Sequence, residues 1–178
     1  MARYVALLRG INVGTAKQVR MADLKQACEN IGCRDITTVL RSGSVVFSSD
    51  REPDASALQA EVERLAGVTA QVLILSAGEF TEIVGANPLA GVSTDGSKLF
   101  ITFLSEPVGD VAEPASDALA PEQLRVGRRA VYQWFPDGSL QSKVPKGFWA
   151  QFSGFPTARN ANTVEKILTL LSEEQKNS

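Results

Sequence analysis

The feature that most limits what this chain can fold into is the order of its apolar runs over residues 1–76. Tyr4–Leu8 (YVALL) is a continuous apolar run of strand length. After a loop at 9–20, Met21, Leu24, Cys28 and Ile31 recur along one face of a predicted helix, and Gly32 is placed to stop it. Ile36–Leu40 and Val45–Ser48 are predicted strands. The short link Arg41-Ser42-Gly43-Ser44 between them reads as a hairpin turn, with Gly43 free to take a positive φ. A second helix fits Asp54–Ala66, with Leu58, Val62 and Leu65 inward and Asp54 or Ser56 as its cap. Ala70–Leu75 (AQVLIL) ends the series as a strand. The order β-α-β-β-α-β is that of the ferredoxin-like split βαβ unit. Neither YVALL nor VLIL alternates between apolar and polar. Both faces of the sheet therefore need cover, and the rest of the chain is the candidate to supply it.

Beyond that unit the signals are weaker. Residues 77–86 fit a short helix with Phe80, Ile83 and Val84 inward. Asn87-Pro88 and the stretch from Gly91 to Gly96 then punctuate the chain. This divides it into a ferredoxin-like domain at 1–86 and a C-terminal α+β domain at 87–178. In the second part, Lys98–Ser105, Gln123–Val126 and Ala130–Phe135 are predicted strands, and Thr163–Ser172 is a predicted helix. Pro107–Pro121 reads as loop or short helix, and no repeat stands out. The expected fold class is α+β, a ferredoxin-like βαββαβ N-terminal half packed against a smaller α/β C-terminal half.

Composition narrows the chemistry. The chain has 178 residues and no histidine, which excludes Ser-His-Asp and Cys-His catalysis and histidine-ligated zinc. Cys28 and Cys33 are its only cysteines; their spacing is not a metal pattern, so reduced, buried thiols and no metal or cofactor are expected. No apolar run approaches the roughly 20 residues of a membrane span, and MARYVALLRG is too short for a signal-peptide core. A cytoplasmic protein with no membrane partner is expected. The net charge of −2 gives no overall basic field for nucleic acid. Residues 1–50 are net +3, 51–124 net −9 and 125–178 net +4, so both ends are basic.

Four blocks match a known pattern: LLRGINVG (Leu7–Gly14), Met21 with Leu24, Ser42-Gly43 followed by Val45, Val46 and Phe47, and Thr157-Ala-Arg159-Asn160-Ala-Asn162-Thr163-Val164. Together they resemble the bacterial domain of unknown function 1697. The resemblance implies a ferredoxin-like first half, an α/β second half and no established activity. This chain departs from the family pattern in Ser44, where asparagine is usual, and in Ala161, where an aromatic residue is usual.

Two of these blocks are candidate binding elements. Arg9-Gly10-Ile11-Asn12-Val13-Gly14-Thr15-Ala16-Lys17 follows a strand and leads toward a helix, so its backbone N–H groups can face an anion; it is neither a Walker A motif nor GxGxxG. The competing reading is a tight structural turn. Arg159-Asn160-Ala161-Asn162-Thr163 precedes the last helix, with Asn162 or Thr163 as cap and Arg159 beside it for a bidentate contact. Here the competing reading is an ordinary capped helix. Ser42 at the hairpin tip offers a hydroxyl. The expected ligand-binding residues are Arg9, Asn12, Gly14, Lys17, Ser42, Arg159, Asn160, Asn162 and Thr163, lining one cleft between the halves and taking a small phosphate- or carboxylate-bearing ligand. The alternatives are an enzyme using arginine and carboxylate chemistry, with Asp23 the one acid near the first loop, and RNA or partner binding through exposed Tyr4 and Phe47 on the first sheet. The seven aromatics between Tyr132 and Phe155 read as core packing or, more sharply, a stacking surface.

Overall fold

A computed structural model describes residues 1–12, 18–39 and 43–173. Among them the first strands and helices are β1 (Ala2–Arg9), α1 (Met21–Asn30), β2 (Arg34–Val39), β3 (Ser44–Ser49), α2 (Ala55–Ala66) and β4 (Gln71–Ser76). The strands pair antiparallel in the order β2-β3-β1-β4, so YVALL lies inside the sheet. One face carries Ala6, Leu8, Val45, Phe47 and Val72, which join Leu24, Ala27 and Cys28 of α1 and Leu58 and Val62 of α2 in one core. Asp54 caps α2 by accepting from the Ser56 N–H at 2.8 Å.

The absence of alternation has the expected consequence. Val5, Leu7 and Val46, on the opposite face, are fully buried as well. The end of the last helix, α6 (Ala161–Ser172), reaches this face. Arg3 of β1 donates from Nη2 to the Leu170 carbonyl at 2.9 Å, satisfying a carbonyl in that helix's last turn.

Between β4 and α6 run α3 (Ala77–Gly85), β5 (Leu99–Leu104), α4 (Ser116–Leu119), β6 (Gln123–Val126), β7 (Ala130–Trp134), α5 (Lys146–Trp149) and β8 (Pro156–Asn160). The second sheet is also antiparallel, in the order β6-β7-β5-β8. The chain divides into two compact units, 1–81 with 165–178 and 82–164, so α6 begins in one and ends in the other. The class is α+β.

No repeat is legible in the sequence, yet the second unit repeats the first in plan. Strand, helix, strand, strand, helix, strand recur with the same neighbours. A local detail recurs too. The Leu8 N–H donates to the Gly43 carbonyl in the first unit and the Leu104 N–H to the Arg129 carbonyl in the second, each at 2.9 Å and each to the residue just before the third strand of its unit. The copies differ in their helices: α1 and α2 have 10 and 12 residues, whereas α4 and α5 have four each. A one-turn helix covers little, so side chains outside the helices complete the second core. Val108, Val111, Val144 and Phe152 pack with Leu119, Leu124, Val131 and Phe148. Phe148 meets Trp149 and Phe152 edge-on at 5.0 and 5.2 Å, and the Tyr132 hydroxyl donates to the Ile83 carbonyl at 2.6 Å. These aromatics pack as core.

Candidate functional site

In the first unit, β1 and β2 each run antiparallel to β3, so both end at the same edge of the sheet. The loop after β1, the start of α1 and the β2–β3 hairpin therefore gather at one end. The glycine loop is fastened there at both sides. Ile11 and Val19 are buried in the core beneath α1 and α2. Asn12, at φ +55°, accepts from the Val19 N–H through Oδ1 at 2.9 Å and closes the loop's base. Val13–Lys17, including Gly14 and Lys17, lie outside the described residues, as do Arg41 and Ser42.

Gly43 joins the two motifs. Its φ is +78°, and a Cβ there would come within 2.6 Å of Ile11 Cδ1 and 3.2 Å of Leu8 Cβ. The hairpin thus leans on the loop at a place where a side chain fits only if that of Ile11 moves. Arg9 is exposed at the rim and donates to Gln71 Oε1 at 3.2 Å. The helix that starts here, α1, has Arg20 at its N-cap and no side-chain cap, so the N–H groups of its first turn have no partner from the cap residue. Asp23 pairs with Arg20 at 3.0 Å beside that N-terminus, the role its position favours.

The closing of the loop by Asn12 is expected to be measurable as stability. Asn12→Ala removes the acceptor of a buried N–H and disfavours the positive φ, so urea unfolding should show a loss of about 1.5 kcal/mol. Asn12→Asp keeps the acceptor and should stay within about 0.5 kcal/mol of the native chain.

In the second unit the Arg159 block is split by the alternation of β8. Arg159 pairs with Ile101 and Asn160 with Phe100, so their side chains leave opposite faces of the sheet. Arg159 is 7% exposed and donates from Nη1 to Thr157 Oγ1 at 3.0 Å and the Ala158 carbonyl at 2.8 Å. Burial brings its guanidinium down to about 10. The cap of α6 is neither Asn162 nor Thr163. It is Asn160, whose Oδ1 accepts from the Thr163 N–H at 3.0 Å, because β8 passes into the helix without a linker and the helix starts two residues earlier than its apolar period suggests. Asn162 lies over Gly96, with its Oδ1 where a Cβ would stand. Asn160 thus has a structural task in this unit, as the cap of α6.

The aromatics required for an RNA-binding sheet are not exposed. Phe47 is fully buried among the residues under α1 and α2, and Tyr4 stacks on it at 5.9 Å. Among the described residues no group of three or more Cys, Asp or Glu side chains could hold a metal ion, and no helix is long and apolar enough to cross a membrane.

Comparison with known proteins agrees with the three motif blocks of the first unit, whereas the block at Thr157–Val164 lies outside the span that the family model matches. No curated protein matches the chain. Among solved structures, the conserved bacterial protein SP0830 from Streptococcus pneumoniae is similar over 96% of this chain and 99% of its own, with a TM-score of 0.65 and 24% identity, a likeness of fold. A family model matches residues 1–132, a span that takes in the glycine loop, α1 and the hairpin fastened to them. With that match, the chain belongs to the family of proteins of unknown function DUF1697.

Proposed function

We propose that this chain is a binding module for a small anionic ligand, bearing phosphate or carboxylate, taken at the loop end of the first sheet. The observation that carries this reading is the contact of Gly43 with Ile11, which draws the glycine loop and the hairpin together beside the side-chain-uncapped N-terminus of α1. Backbone N–H groups and a helix dipole at one place favour negative charge. Arg9 stands at the rim, and Gly14, Lys17 and Ser42 belong to the same loop and hairpin in sequence. Arg159 is a second candidate contact: a desolvated guanidinium gains much from a neighbouring anion.

The strand order β2-β3-β1-β4 with two helices on one face supports a ferredoxin-like first unit. Free, buried Cys28 and Cys33 support a cytoplasmic setting. The binding reading is favoured over RNA binding because Phe47 lies beneath the helices.

A thermal-shift screen with inorganic phosphate, phosphate esters, nucleotides and small carboxylates tests it. At tenfold its Kd a ligand adds about 1.4 kcal/mol, a rise of about 4 °C for a chain of this size. Arg9→Ala should weaken that response. Arg159→Ala tells whether the second candidate serves the same ligand, and the double variant tells one ligand from two. A Tm unmoved by every anion would sink the proposal. In gel-shift titrations at moderate salt, RNA affinity should stay weaker than about 10⁻⁴ M, the weak end of non-specific nucleic-acid binding.

A further inference from the structure

The end of α1 brings the chain's two thiols together. Gly32, at φ +91°, follows the helix in the left-handed conformation. The Gly32 N–H donates to the Glu29 carbonyl and the Cys33 N–H to the Cys28 carbonyl, both at 3.0 Å. This is the Schellman pattern, which is frequently accompanied by a contact between the side chains three residues before the cap and two after it. Those residues are Cys28 and Cys33, where a helix of this kind ordinarily places an apolar pair. Both thiols lie in the same core, Cys28 fully buried and Cys33 5% exposed. Burial pushes Cys33 up to about 11 and Cys28 to about 12, and the nearness of Cys33 adds to the rise at Cys28.

We propose that Cys28 and Cys33 are a redox pair that closes to an intrachain disulfide across the end of α1. The oxidant is a low-molecular-weight disulfide of the glutathione class. Cys33, the outer thiol, loses its proton and attacks one sulfur of the oxidant, forming a mixed disulfide and releasing one thiol. Cys28 then loses its proton and attacks the Cys33 sulfur, releasing the second thiol and leaving the Cys28–Cys33 bond. Two protein thiols are oxidised and one disulfide is reduced to two thiols. Exchange is slow while the helix end is closed, because little thiolate forms there at neutral pH. Once made, the bond ties the last turn of α1 to the residue before β2 and stops that end from fraying.

The test uses the full chain equilibrated at pH 8 with graded ratios of oxidised to reduced glutathione, quenched with acid and digested with trypsin. Both thiols lie in one tryptic peptide, Gln26–Arg34. The expected product is that peptide lighter by about two mass units, with no glutathione retained. In Cys28→Ala the outer thiol should instead keep one glutathione. Because that variant opens a small cavity, the native peptide serves as the independent readout. Two unreacted thiols under strongly oxidising ratios, two glutathiones on one peptide, or disulfide-linked dimers would each overturn the proposal.

Discussion

Replacing Gly43 with alanine is expected to lower the unfolding free energy by about 3 kcal/mol, roughly 1 from the left-handed backbone and the rest from overpacking. The new methyl group would meet Ile11 at 2.6 Å and Leu8 at 3.2 Å. Leu8 sits on a central strand and has no room to retreat, so the Ile11 side chain must move instead. Urea unfolding measures the loss. The double variant Gly43→Ala with Ile11→Ala separates the two causes: relieving the clash should make the paired loss smaller than the sum of the single losses. A Gly43→Ala chain as stable as the native one would mean that the hairpin does not rest on the loop.

Alkaline pH is expected to remove about 2.5 kcal/mol of stability between pH 7 and pH 10, from two thiols at up to about 1.4 kcal/mol each. Cys28 and Cys33 start from an ordinary value of 9.0 and are raised in the fold to about 12 and 11. The unfolded chain therefore loses these protons first, and stability falls as pH rises above about 9. The contribution is complete below that value and is lost progressively toward the folded values. Buried Tyr132 acts in the same direction from higher pH, because burial raises its phenol above 10.0. Arg159 acts in the opposite direction: burial lowers its guanidinium to about 10, it costs least once neutral, so stability recovers a little above that pH. The window for the thiols thus opens near pH 9 and runs toward the folded values of about 11 and 12; its lower part, up to pH 10, is read by denaturant midpoints. A variant carrying Cys28→Ala and Cys33→Ala should be less stable at neutral pH but flatter across the window. An equal slope in both chains would rule the thiols out as the cause.

How much was legible in the sequence follows from how local each feature is. The elements of the first unit are written in periods of two or about 3.6 over short windows, and the covered second face follows from YVALL and VLIL failing to alternate. Strand β8 is different. Pro156-Thr-Ala-Arg159-Asn160 has one ordinary strand former and begins with proline; pairing with β5, together with burial of Thr157 and Arg159, makes it a strand. The repeated plan was hidden because α4 and α5 are single turns, too short to leave a periodic stripe. At the candidate site, the glycine of the hairpin and its positive φ could be read from the turn. What it rests on could not, because Ile11 lies 32 residues earlier and an apolar residue in a glycine loop gives no sign of its partner. Asn12 was visible as a loop amide, but its acceptor role depends on where Val19 returns.

Because α6 starts in one unit and ends in the other, the order in which the chain is made differs from the order in which it can be finished. On the ribosome the first sheet has all four strands once Ser76 has emerged. Its Arg3 must nevertheless wait for Leu170, 167 residues later, before its far face gains that contact. Until then the face that carries Val5, Leu7 and Val46 lacks the end of that helix, and bringing it there requires closing a loop nearly as long as the chain. The N-terminal unit is therefore the first to begin folding and the last to be complete.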